Sequence, residues 1–142
     1  MTWDISIERS IAVAPERVYD AWLNPEAMAF FLRPAPGVVC KDVEVDAQVG
    51  GRFALTMQVG TVEVPIHGQF TEMARPRRLV FSWHSARTRD DSVVTLTFTP
   101  DGVGTRFTLH HVGFVDASSH EDHDGGWQHI ALQLDRWCAA EG

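Results

Sequence analysis

Residues 127–140, WQHIALQLDRWCAA, place Trp127, Ile130, Leu134, Trp137 and Cys138 at i, i+3, i+7, i+10 and i+11. That spacing lays an apolar stripe along one side of an α-helix and predicts an amphipathic C-terminal helix. The chain upstream has a different period. VVCKDVEV (38–45), RFALTMQV (52–59), VEVPIHGQF (62–70), RLVFSWH (78–84), SVVTLTFTP (92–100) and TRFTLHH (105–111) all alternate apolar with polar, as a half-buried strand does. Gly50-Gly51, Gly60, Arg75-Pro76, the 87–91 stretch and Asp101-Gly102 separate them with turn or loop chemistry, so these six strands follow one another mostly as hairpins. Pro65 cannot donate to a strand ladder and predicts an edge position or a bulge in its strand. Between the last strand and the helix, VDASSHEDHDGG (115–126) reads as a polar lead-in, with Ser119 or Asp124 as the helix cap.

The first third completes the pattern. WDISIERSIAV (3–13) sets Trp3, Ile5 and Ile7 against Asp4, Ser6 and Glu8, which predicts a first strand. Pro15 suits the first turn of a helix that carries Val18, Ala21 and Trp22 on one face and stops at Asn24-Pro25. A second short helix runs from Pro25 to about Leu32, before Pro34 and Pro36 forbid its continuation. The expected architecture is α+β: a seven-stranded antiparallel sheet curved around a long C-terminal helix, with two short helices after strand 1. A helix of about 15 residues spans roughly 22 Å and cannot fill a long curved sheet alone. The space between them either packs with large side chains or stays a cavity, and five Trp, eight Phe and one Tyr suffice for either.

Composition narrows the function classes. A length of 142 residues favours one domain with its own apolar core, and 44% hydrophobic against 22% charged residues excludes a disordered or low-complexity chain. The formal charge is −7, and apart from Arg75, Arg77 and Arg78 and the pair Arg87 and Arg89 the basic residues are scattered. Nucleic acid is excluded as a partner, because neutralising phosphates needs a concentrated positive face. Cys40 and Cys138 stand in no metal-type spacing, MTWDISIERS lacks the features of a signal peptide, and no run approaches the roughly 18 apolar residues of a transmembrane helix. The expectation is a reduced, cytoplasmic protein with no transmembrane segment.

PERVYDAWLNPEAMAFF (15–31) resembles the P-E-x-V-W-x-A-[LW]-x-x-P-E opening of the SRPBCC (START-like, helix-grip) superfamily, specifically of proteins similar to the activator of heat-shock protein 90 ATPase. VGGRF (49–53), HGQFTEMARPRRLVFSW (67–83), TLTFTPDGVGTRFTLHHVGF (95–114) and GGWQHIALQLDRW (125–137) continue the match in order over nearly the whole chain. The resemblance implies a helix-grip fold, a sheet gripping the C-terminal helix with a pocket between them that in many members takes a hydrophobic small molecule. It does not imply one activity, since the superfamily includes carriers, receptors, cyclases and aromatases.

Alternation, helical spacing and resemblance together nominate Trp22, Phe31, Phe53, Met57, Phe70 and Phe81 as pocket walls, with Trp83, Phe107, His111, Trp127 and Ile130. His111 shares the apolar face of its strand with Phe107 and Leu109, where it either bonds a ligand oxygen and moves protons or is a core histidine held by a neighbour. His67 faces solvent unless a bulge at Pro65 turns it inward. Trp83 can offer its indole N–H to a ligand while its ring forms apolar wall. The cluster His120-Glu121-Asp122-His123-Asp124 with His129 has ligand chemistry but reads as a polar helix start, so no metal and no cofactor are expected.

The expected function is binding of a small hydrophobic or aromatic molecule. A cyclase, dehydratase or hydrolase using His111 or His67 is the enzymatic alternative. The other is a co-chaperone-like module stimulating heat-shock protein 90 ATPase. A homodimer and a chaperone partner are both left open by the sequence.

Overall fold

A computed structural model describes residues 3–141. The chain runs β1 (Ile5–Ile11), α1 (Pro15–Ala21), α2 (Pro25–Phe31), β2 (Val39–Val45), β3 (Arg52–Val59), β4 (Val62–Ala74), β5 (Arg78–Ser82), β6 (Thr88–Asp101), β7 (Gly104–Phe114) and α3 (Ala117–Glu141). The strands form one antiparallel sheet in the order β1-β7-β6-β5-β4-β3-β2, so every neighbour but β1 is also a neighbour in sequence. The expected element order and fold class both hold.

Alternation decides which face is inward. Phe53, Leu55 and Met57 of β3, Leu79 and Phe81 of β5, Val94, Leu96 and Phe98 of β6, and Phe107, Leu109 and His111 of β7 are all buried, while the residues between them are not. Trp83 follows β5 and keeps its parity, at 3% exposed. The short helices start as their sequences require: Pro15 and Pro25 occupy first-turn positions, and Asn24 Oδ1 accepts the backbone hydrogens of Glu26 and Ala27.

Pro65 sits where a missing N–H costs nothing. β5 pairs with β4 only over Phe70–Ala74, and beyond a single bridge between His67 and His84 the start of β4 has no strand on that side. His67 donates its backbone hydrogen to His84 there, and Pro65, two residues earlier, turns its nitrogen toward the same open side. The edge expected from Pro65 is thus a local one, with Thr56 of β3 paired on the other flank. Gly68 is required for a different reason. A Cβ there would stand 1.9 Å from the Ser82 carbonyl oxygen and 2.4 Å from the Phe53 ring, so only glycine lets β4 cross this point.

Helix α3 corrects the sequence reading. It has 25 residues rather than about 15, and the 117–126 segment belongs to it. Neither Ser119 nor Asp124 is the cap: Asp116 Oδ1 accepts the backbone hydrogen of Ser119 at 2.7 Å. The Ser119 hydroxyl instead donates to the Arg87 carbonyl at 2.6 Å, tying the helix to the segment between β5 and β6. Two adjacent glycines discourage a helix by about 1 kcal/mol each, which tertiary contacts outweigh here. Gly126 makes one of those contacts possible, since a Cβ on it would press to 3.0 Å from the Pro34 Cβ. Strand β6 likewise starts earlier than expected, at Thr88, through an irregular register between Thr88 and Val93.

Candidate ligand-binding site

The close backbone approaches of α3 are to α1, α2, β1 and β7. Over β3, β4 and the end of β5 the helix stands off, and a cavity of about 300 Å³ lies in the gap. Met57 of β3, Val64 and Ile66 of β4, Trp83, and Trp127 and Ile130 of α3 make its apolar walls, with Pro34 closing one side. Its remaining lining, Ser85, Ala86 and Arg87 from the β5–β6 connection and Asp122, His123 and Gly126 from α3, includes the exposed Ala86 and Asp122 and forms the mouth. Arg87 bonds the Asp122 carboxylate and donates to Ser118 Oγ at 3.1 Å, so a charged clasp joins the two sides of that mouth.

A second space lies deeper. Trp22, Met28, Leu32, Phe53, Phe70, Phe81 and Trp83 surround a void of about 10 Å³. The eleven residues nominated from sequence therefore divide in three. Met57, Trp83, Trp127 and Ile130 line the larger cavity; Trp22, Phe53, Phe70 and Phe81, again with Trp83, line the void; Phe31, Phe107 and His111 line neither. Phe31 packs edge-on to Trp22 at 4.7 Å and Phe107 stacks on it at 5.9 Å, both as core aromatics.

His111 is a core histidine held by neighbours. Trp127 Nε1–H donates to its Nδ1 at 2.9 Å, so that nitrogen carries no proton, and Nε2–H donates to Ser92 Oγ at 2.7 Å. Burial, with His123 and His110 nearby, holds its pKa down at about 3. Both ring nitrogens are engaged and the ring is neutral at pH 7, which deprives it of a role as proton carrier. His67 lies exposed on the outer face of the sheet, its ring 5.1 Å from that of His84. Clefts of about 440 and 500 Å³ run along these two histidines, but exposed polar side chains such as Gln69 and Asp90 line them.

The histidine that does reach the cavity is His123, which the sequence suggested only as a metal ligand. Its Nδ1–H donates to the Ser119 carbonyl at 2.8 Å, leaving Nε2 as the nitrogen able to accept from an occupant. Burial lowers its pKa, so the ring is neutral at pH 7. His120 and His129 are engaged elsewhere, on the carbonyls of Asp4 and Arg33. Among the described residues no group of three or more His, Cys, Asp or Glu is placed to hold a metal ion. Asp122 and His123 lie in the first ten residues of α3, ahead of the helix that the apolar spacing marks, while Val64 and Arg87 reach the cavity from β4 and the β5–β6 connection, where strand parity alone identifies no lining. Extending the stripe backwards gives Ser119, His123, Trp127, Ile130, Leu134 and Cys138 at steps of four, four, three, four and four, which would have found His123.

The model of the family described as "Activator of Hsp90 ATPase homolog 1-like protein" matches residues 12–139. The chain belongs to this family. Among solved structures, that of protein CV1439 from Chromobacterium violaceum is 29% identical, with 95% of this chain and 96% of that one covered and a TM-score of 0.86. The AHSA1-like protein from Aeromonas hydrophila is 28% identical over 98% of this chain and 94% of that one, at a TM-score of 0.84. The AHSA1 protein from Silicibacter pomeroyi is 25% identical over 98% and 99%, at 0.79. No curated protein sequence matches the chain. This AHSA1-like protein has no helix, among its described residues, long and apolar enough to cross a membrane.

Proposed function

We propose that the protein binds a small apolar or aromatic molecule in the cavity between the sheet and α3. The observation that supports this reading is the cavity itself: about 300 Å³ of open space walled by Met57, Ile66, Trp83, Trp127 and Ile130, beside the buried apolar core. Ligand sites are concave, mostly apolar and fitted with a few polar groups, and this one has His123 and the Arg87–Asp122 clasp at its mouth. Its volume is at the small end for such sites and suits a molecule of one or two fused rings. Native mass spectrometry of gently purified protein, followed by denaturation to release and weigh any bound species, tests the reading. A stoichiometric small molecule is expected. A clean unliganded mass, together with no binding of the apolar fluorophore 1-anilinonaphthalene-8-sulfonate, would overturn it.

The family description favours a second reading, stimulation of the heat-shock protein 90 ATPase. The formal charge of −7 suits a basic partner surface. A rise in the chaperone's ATPase rate on adding the protein supports it; an unchanged rate at saturating protein removes it.

A further inference from the structure

The chain has seven histidines, and five of them have a side-chain partner. His111 is bonded to Ser92, while His120, His123 and His129 are bonded to the backbone carbonyls of Asp4, Ser119 and Arg33. His110 lies 3.5 Å from the Asp4 carboxylate. The other two, His67 and His84, make no side-chain hydrogen bond or ion pair among the described residues, and their ring centroids are 5.1 Å apart. A ring in water needs no protein partner; what singles out this pair is its placement.

The backbone sets the two rings side by side. His67 donates its backbone hydrogen to the His84 carbonyl at 3.1 Å, and His84 donates to the His67 carbonyl at 2.8 Å. Residues directly opposite in an antiparallel pair point to the same face, with Cβ atoms about 4.5–5.5 Å apart. Ile66, Gly68 and Trp83 are buried, so both histidines face outward by parity. Beyond this bridge the start of β4 and the chain after Trp83 part company. Clefts of about 440 and 500 Å³ result, and both histidines line each of them.

That separation is the one a shared metal ion requires. An imidazole nitrogen binds zinc at about 2.0–2.1 Å, which sets the ion about 3.2 Å from the ring centre. Two rings on one ion, at a nitrogen–metal–nitrogen angle of about 90–109°, then have centres roughly 4.5–5.2 Å apart. The observed 5.1 Å falls within that range. Because the ring centre lies almost on the axis of the Cβ–Cγ bond, rotation about that bond re-aims the nitrogens and leaves the spacing as it is. Glu44 and Arg52 line one cleft and Asp90 the other, so carboxylates outnumber cations around the pair. Neither carboxylate is placed to complete a group of three ligands.

We propose that His67 and His84 form a two-histidine site for a divalent late transition-metal ion, with water in its remaining positions. Imidazole suits zinc, nickel and copper, and Cu²⁺ binds tightest by the general order of divalent affinities. Open positions on both cleft sides let the bound ion take an outside ligand. The site lies on the face of the sheet opposite the cavity and stands apart from whatever the cavity binds.

Copper(II) chloride, titrated into the full chain at neutral pH in a non-coordinating buffer, tests it. The first equivalent is expected to show nitrogen hyperfine structure from two imidazoles in electron paramagnetic resonance. His67→Asn and His84→Asn should each weaken it at least about tenfold, since even loss of a group that only supports a ligand costs 10–100-fold. His110→Asn, an exposed histidine on β7, should leave it unchanged. A first equivalent that neither substitution weakens, or that shows a single imidazole nitrogen, would put the ion elsewhere and overturn the site. An absence of saturable binding would overturn it too. Should a variant fail to fold, nitrogen-15 spectra of the unmodified protein decide: the ring resonances of His67 and His84 must broaden at lower copper than those of the other five histidines.

Discussion

Trp127 donates its indole hydrogen to Nδ1 of His111 over 2.9 Å, and this one bond assigns the histidine. An indole nitrogen can only donate, so Nδ1 must be bare, the ring proton must sit on Nε2, and Ser92 Oγ must receive it at 2.7 Å. Three buried side chains on β6, β7 and α3 thereby fix the orientation of the tryptophan that walls the cavity. Of the two roles that the sequence leaves open for His111, this geometry is that of the core histidine held by its neighbours.

The first prediction concerns that tautomer. Nitrogen-15 NMR of the histidine side chains should show His111 as the neutral Nε2–H form at pH 7 and still neutral at pH 4.5. A ring that titrates near 6.5 would mean that His111 is reached by water and that the relay is wrong. Trp127→Phe keeps the ring and strips the donor, leaving Nδ1 buried and unpaired, and should cost about 1–3 kcal/mol in urea denaturation.

Acid should destabilise the protein earlier than its carboxylates alone require. The folded pKa of His111 is held at about 3, chiefly by burial, against an unfolded value of about 6.5. Above 6.5 both states are neutral and the contribution is complete. Between 6.5 and 3 the unfolded chain binds a proton that the folded one refuses, so stability falls as pH falls, by up to about 1.4 kcal/mol per pH unit. His123, lowered in the same direction by burial, adds to the slope. Urea midpoints from pH 7.5 to 4.5 measure it, and His111→Gln should flatten the curve as well as lower it.

Gly125 and Gly126 should respond oppositely to alanine although they are neighbours in one helix. Space around Gly125 is open to 4 Å, so Gly125→Ala should gain the helix propensity difference, about 0.5–1 kcal/mol. At Gly126 the new methyl group meets Pro34 at 3.0 Å. Gly126→Ala should therefore forfeit that gain or reverse it. Thermal melts of the two variants separate the effects, and equal rises in Tm would show that α3 is free to move away from Pro34.

What the sequence disclosed and what it withheld follow from the range of the interactions involved. Strand parity is local: the alternation that put Phe53, Phe81, Phe107 and His111 on the inner face needs only the next few residues, and the buried set agrees with it. The start of α3 is not local. Gly125-Gly126 opposes helix by propensity, and the contacts that overrule it join Ser119 to Arg87 and His129 to Arg33, far away in sequence. Cavity lining is further removed still. Phe107 and Met57 are equally inward by parity, but Phe107 is stacked on Trp22 whereas Met57 faces the gap where α3 stands off the sheet. Parity gives the face, and only the helix position decides which inward residues meet a neighbour and which meet space.

That distinction supports a last prediction, which separates wall from core. Val64 is half-buried and lines the cavity, and Leu96 is fully buried on β6 away from it. Val64→Phe places a ring into existing space, so it should hold or raise Tm by burying apolar surface at about 25 cal/mol per Å² while displacing whatever the cavity binds. Leu96→Ala opens a hole in close packing and should cost about 2–5 kcal/mol with little change in ligand affinity. Urea denaturation and titration with 1-anilinonaphthalene-8-sulfonate on both variants give the four numbers needed. A Val64→Phe protein that binds the fluorophore as the unmodified protein does would place the bound molecule elsewhere. One destabilised as much as Leu96→Ala would show that the space beside Val64 is already filled in solution.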